Sequence, residues 1–84
     1  MMNRIEKTLE AMRMRPQNVA FSDLFFICEY FFGAPRNSGS SHFVFKMPWP
    51  GDPRVNIQKG SNNKAKAYQV KQALKAIERI NHGK

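Results

Sequence analysis

A chain of 84 residues is one small domain, of a size that buries only about 60% of the surface its unfolded form exposes, so its core must be compact. The single cysteine, Cys28, allows no internal disulfide, and lying within an apolar run it reads as a buried thiol. The longest apolar stretch runs from Leu24 to Phe32, is interrupted by Glu29, and falls far short of the roughly 20 residues a membrane-spanning helix needs. Arg4, Glu6 and Lys7 occupy the place where a secretory signal would be apolar, so a cytoplasmic protein is expected. The formal net charge of +8 is unevenly placed. Residues 1–35 carry as many acids as bases, whereas residues 36–84 carry ten Lys or Arg against only Asp52 and Glu78. Clustered cations neutralise phosphates and release counterions, so the second half points to a polyanion; a solvated basic surface kept for solubility is the alternative.

In chain order, Asn3 with Glu6 makes a capping box, and Ile5, Leu9 and Met12 recur at helical spacing until Pro16 ends the pattern. This predicts a short amphipathic helix over residues 3–15, whose thin apolar stripe also allows a weakly packed extension. Ser22 is the expected N-cap of a second helix over Asp23 to Phe32, with a staple from Phe21 to Phe26 and Gly33 closing it. That helix is apolar nearly all round, which makes it central to the core or leaves one side for another protein, with Phe25 and Tyr30 the candidates for such a contact.

Ala34 to Asn37 fits a short edge strand, because Pro35 cannot donate to a ladder from inside a sheet. It is expected to pair with His42-Phe43-Val44-Phe45-Lys46, which follows the turn Ser38 to Ser41. Arg54-Val55-Asn56-Ile57-Gln58 repeats the alternation. Period-two patterning puts Phe43, Phe45, Val55 and Ile57 on one face and His42, Val44, Lys46, Arg54, Asn56 and Gln58 on the other. The turn-rich connector Pro48 to Pro53 carries Trp49, which could stack a base or fold back to close the core. Lys59 to Lys66 is a polar, basic loop containing Lys59, Lys64 and Lys66; it leads into a helix whose stripe is Val70, Ala73, Leu74, Ile77 and Ile80. Free N–H groups at that helix start favour phosphate, although an ordinary cap loop with solvated lysines has the same composition. The element order is helix, helix, strand, strand, strand, helix, an α+β domain with helices over the Phe43/Phe45/Val55/Ile57 face and the other sheet face open.

Of the chemistries such a face could host, metal-dependent cleavage lacks its carboxylates, since the basic half offers only Asp52 and Glu78. One cysteine and two distant histidines, His42 and His82, have no zinc-ligand spacing. No cofactor or metal is expected. A serine triad has no carboxylate beside His42, and Ser40 and Ser41 more simply make the turn. Metal-free RNA cleavage remains. His42 would take the proton of a ribose 2′-OH, and Lys46 or Arg54 would stabilise charge on the phosphate. A histidine that contacts phosphate without catalysis is the alternative.

The segment Ser38 to Lys46, preceded by the Gly33-ended helix, resembles the catalytic segment of HicA toxins of prokaryotic toxin–antitoxin pairs. Pro48 to Gln58 and Lys64 to Val70 resemble the version of that family with a tryptophan loop, and the resemblance spans residues 19–80. It implies a double-stranded-RNA-binding-domain-like α-β-β-β-α fold with a three-stranded antiparallel sheet and helices on one face. It also implies messenger-RNA cleavage through one histidine, here His42, and silencing by a HicB-type antitoxin. The chain is then a single domain, residues 1–18 a helical extension and 19–80 the core, with single-stranded RNA contacts at Lys46, Arg54, Asn56, Lys59, Lys64 and Lys66. Two departures stand out: no second histidine follows the last strand in Asn56 to Gly60, and the first helix precedes the usual family core. A non-catalytic RNA-binding module shares the basic corner at Lys64 to Lys66. A protein-binding adaptor built on the aromatic helix is the third reading, and it leaves the basic half unexplained.

Overall fold

The computed structural model describes residues 3–37, 42–47 and 54–82. Helix α1 spans Arg4–Met14, α2 Phe21–Phe32 and α3 Ala67–His82; strands β1, β2 and β3 span Arg36–Asn37, His42–Lys46 and Arg54–Gln58. The strands run antiparallel in the order β1-β2-β3. The sheet is chiefly the five-residue pair β2–β3, since β1 adds only two residues, fewer than the predicted Ala34 to Asn37. Gly33, at φ +89, turns the chain out of α2, and Pro35 has no N–H to give, so pairing begins at Arg36.

The face assignment follows the alternation. Phe45, Val55 and Ile57 are buried, Phe43 is half-buried against Phe21 and Phe25, and Lys46, Arg54 and Asn56 are exposed. Helix α2 packs on β2 and α3 on β3. Ring contacts join the first pair: Phe25 lies edge-on to Phe43 with centroids 5.1 Å apart, and Phe32 sits 6.1 Å from Phe45. Phe25 therefore belongs to the core side and not to a free surface, while Tyr30 stands 63% exposed.

Helix α1 forms over the stretch predicted for it. Its N-cap forms as predicted, with the Asn3 side-chain oxygen accepting the Glu6 N–H at 2.9 Å. The helix is not a loose extension: Met12 is fully buried and Leu9 nearly so, both within the same cluster as Leu24, Ile27 and Ile77. The Arg4 guanidinium lies 3.8 Å from the centre of the Phe26 ring of α2. Leu9 and Met12 of α1 thus pack into the same core as the elements after residue 18. Sixteen apolar residues are buried among those described, and a domain this small has no core to spare, so the first helix supplies a share of it.

The start of α2 is also displaced from Ser22. Ala20 is the cap; its carbonyl accepts from Asp23 and Leu24, both at 3.1 Å, and its side chain makes no cap bond. The cause is tertiary. Val19 and Ala20 are extended because the segment before α3 pairs with them, the Ala65 N–H donating to the Val19 carbonyl at 2.8 Å and Lys64 bridging Ala20. Phe21 then begins the helix and is buried.

Candidate functional site

The candidate residues sort into rows across β2 and β3. The register pairs His42 with Gln58, Val44 with Asn56 and Lys46 with Arg54 on the open face. Arg36 pairs with Val44, so it joins that face and is exposed; sequence reasoning missed it because only the β1–β2 register reveals the alignment. The Gln58 N–H donates away from β2, to the Gln69 side-chain oxygen of α3 at 2.8 Å. Antiparallel pairs alternate between hydrogen-bonded and wide, so Gln58, and by alternation Asn56 and Arg54, stand in wide pairs, the kind whose side chains approach most closely.

The rows separate along the strand. Positions 42 and 46 are four residues apart, which at about 3.3 Å per residue is roughly 13 Å. The structure therefore brings Lys46 and Arg54 beside each other but sets them at the opposite end of the ribbon from His42. His42 has Gln58 as its direct cross-strand position.

At the His42 end, the chain beyond β3 folds into a basic corner. Lys59 bridges Ala65, and the Gly60 N–H donates to the Lys64 carbonyl at 2.7 Å. A β-carbon on Gly60 would stand 2.8 Å from that carbonyl oxygen, so the turn requires glycine. Asn62 and Asn63 take left-handed conformations, φ 57 and 61, which asparagine tolerates better than most residues. The Lys64 ammonium donates to the Asn18 side-chain oxygen, and the Lys66 ammonium donates to the Gln58 side-chain oxygen at 3.2 Å. Lys59 and Lys64 are exposed and Lys66 half-buried. The expected loop is thus a folded turn, from which Lys66 reaches Gln58 in the row that holds His42, Lys64 reaches Asn18, and the Lys59 ammonium stands 5.9 Å from the centre of the Phe21 ring.

Gln69 was invisible as a structural residue in the sequence, where it falls among the polar positions of α3. It is 3% exposed and fully engaged, its oxygen on the Gln58 N–H and its amide nitrogen donating to the Tyr68 hydroxyl at 3.3 Å. The only signal was its place one residue before Val70 on the buried stripe. Cys28 is inert by environment, since burial pushes its thiol up to about 12. Among the described residues, no three His, Cys, Asp or Glu side chains converge as metal ligands, and no helix is long and apolar enough to cross a membrane. Trp49, Asp52 and the serines of the turn before β2 lie outside the described residues.

Comparison with protein-family models, with curated proteins and with solved structures gives no match. The functional reading therefore stands on the residues and their arrangement.

Proposed function

We propose that the chain is a metal-independent endoribonuclease of the HicA toxin type, acting on messenger RNA through His42 and held inactive by a HicB-type antitoxin. The observation that carries this reading is the open sheet face, where exposed Arg36, Lys46, Arg54 and Asn56 share the three-stranded sheet whose middle strand begins at His42. Phosphates bound along those cations would lay a single strand across the ribbon, with a ribose at the His42 end. His42 takes the 2′-OH proton as the 2′-oxygen bonds to phosphorus; the bond from phosphorus to the 5′-oxygen breaks, and water protonates the departing oxygen. The products are a 2′,3′-cyclic phosphate and a 5′-hydroxyl. The order α2-β1-β2-β3-α3, with helices over one face, supports a double-stranded-RNA-binding-domain-like arrangement. An antitoxin that covered the open face would block strand and histidine together.

A non-catalytic RNA-binding module draws its support from the Lys59, Lys64 and Lys66 corner at the start of α3, which needs no histidine. The two readings divide at one substitution. Purified protein is incubated with a long single-stranded RNA in EDTA beside His42→Ala, and binding is followed in parallel. The ribonuclease reading expects cleavage by the wild type alone with RNA affinity largely retained in the variant. Salt-sensitive binding without cleavage by either protein selects the binding module.

A further inference from the structure

We infer that Lys66, carried on the Gln58 carboxamide at the position opposite His42, is the cation that meets the scissile phosphate, and that Lys46 and Arg54 hold a neighbouring phosphate. This rests on the ribonuclease reading of the same face. Sequence alone favours Lys46 or Arg54 for that task, because they share the face; the register moves them roughly 13 Å along the strand from the histidine row. Gln58 is the position directly across from His42 in the strand register.

The chemistry of this corner fits an anion. An ammonium carries three donors and no acceptor, so the group it meets on Gln58 must be the carbonyl oxygen, at 3.2 Å. That leaves the Gln58 amide group and the remaining ammonium protons as donors only. The support is hydrogen-bonded from a buried residue. Gln69, buried from the α3 side, holds the Gln58 backbone N–H at 2.8 Å, and the Tyr68 hydroxyl accepts from the Gln69 amide. Preorganised donors of this kind lower a barrier because they need no rearrangement as charge develops. As the 2′-oxygen bonds to phosphorus and His42 takes its proton, negative charge grows on the non-bridging oxygens; Lys66 stabilises it there while solvent water protonates the 5′-oxygen. Gln58 acts through Lys66 and is a positioning residue.

Single-turnover cleavage in EDTA at saturating protein, with RNA affinity measured alongside, tests the assignment. Lys66→Ala should lower the saturated rate by about 100-fold, the loss typical of a missing oxyanion donor, and Lys66→Arg should restore most of it. Gln58→Glu keeps the lysine but pairs it with a carboxylate, so the rate falls although the cation remains. Lys46→Ala should show the reverse split, its loss falling in affinity. Thermal melting checks each variant, and the Gln58→Glu and Lys66→Arg pair decides if Lys66→Ala unfolds. A Lys66→Ala rate within about threefold of wild type, in a protein where His42→Ala is inactive, overturns this inference and leaves the ribonuclease reading intact. Absence of cleavage by the wild type overturns both.

Discussion

Two methionines on α1 give opposite expectations from one helix. Met12 is completely buried in the shared core, whereas Met14, two residues on, is 70% exposed. Truncating a buried methionine to alanine costs about 2–5 kcal/mol, transfer and cavity terms together. Against a total of about 4–13 kcal/mol for a domain of this length, Met12→Ala removes a large fraction of the stability. At about 4–8 °C per kcal/mol the melting temperature should fall by roughly 10 °C or more. Met14→Ala should stay within about 0.5 kcal/mol of wild type. Urea titrations followed by far-ultraviolet circular dichroism measure both, and an unchanged slope shows that the midpoint shift is a change in stability. A Met12→Ala cost below about 0.5 kcal/mol would refute the placement of α1 in the core and return it to the role of an appendage.

The Cys28 thiol, held protonated by burial up to about 12 against an ordinary 9.0, contributes stability that is full below about pH 9 and is lost as pH rises from there toward 12. The stability difference between wild type and Cys28→Ala should therefore shrink by up to about 1.4 kcal/mol per pH unit in that window, and a difference independent of pH in urea titrations counts against it. Gly60→Ala forces a β-carbon against the Lys64 backbone carbonyl 2.8 Å away and should cost about 1–3 kcal/mol by thermal melting; an unchanged melting temperature means the turn yields without strain. If Arg36, Lys46, Arg54, Lys59, Lys64 and Lys66 each neutralise one phosphate of a single strand, the logarithm of affinity should fall against the logarithm of salt with a slope of about −4. Lys64→Ala should lessen that slope by about 0.7, and a slope near zero would mean that the basic half serves solubility.

What could be read from the sequence was local. The alternation in residues 42–46 and 54–58, the stripe of α3, the Asn3 cap and the stop at Pro16 all rest on contacts within a few residues, and each is found where it was expected. The start of α2 was misplaced because Ala20 is held extended by Lys64 and Ala65, far along the chain, while Ser22 carries the better cap side chain. Met12 was undervalued because a thin stripe is also what a weakly held helix shows. Gln69 is polar and buried, and no periodicity can flag a residue whose burial depends on the one N–H it satisfies. On the candidate site, the sequence indicated which residues share a face but not which share a row. Arg36 and Gln58 enter only through the strand register, and the same register separates Lys46 and Arg54 from His42.

That separation bears on why the basic charge is arranged as it is. Solubility asks only for dispersed like charge, and the exposed outer positions Lys71, Lys75 and Arg79 of α3 meet that need on a helix surface. The sheet goes further: its register sets Lys46 and Arg54 directly opposite each other, so two cations share one cross-strand position. The neutral first half of the chain supplies α1 and α2, and the half that holds the whole net charge supplies the sheet, its basic corner and α3, which covers the apolar side together with α2. On the proposed ribonuclease reading, the histidine row and the Lys46–Arg54 row would differ in task by their distance along one strand, the near row at the reacting phosphate and the far row on the strand that delivers it.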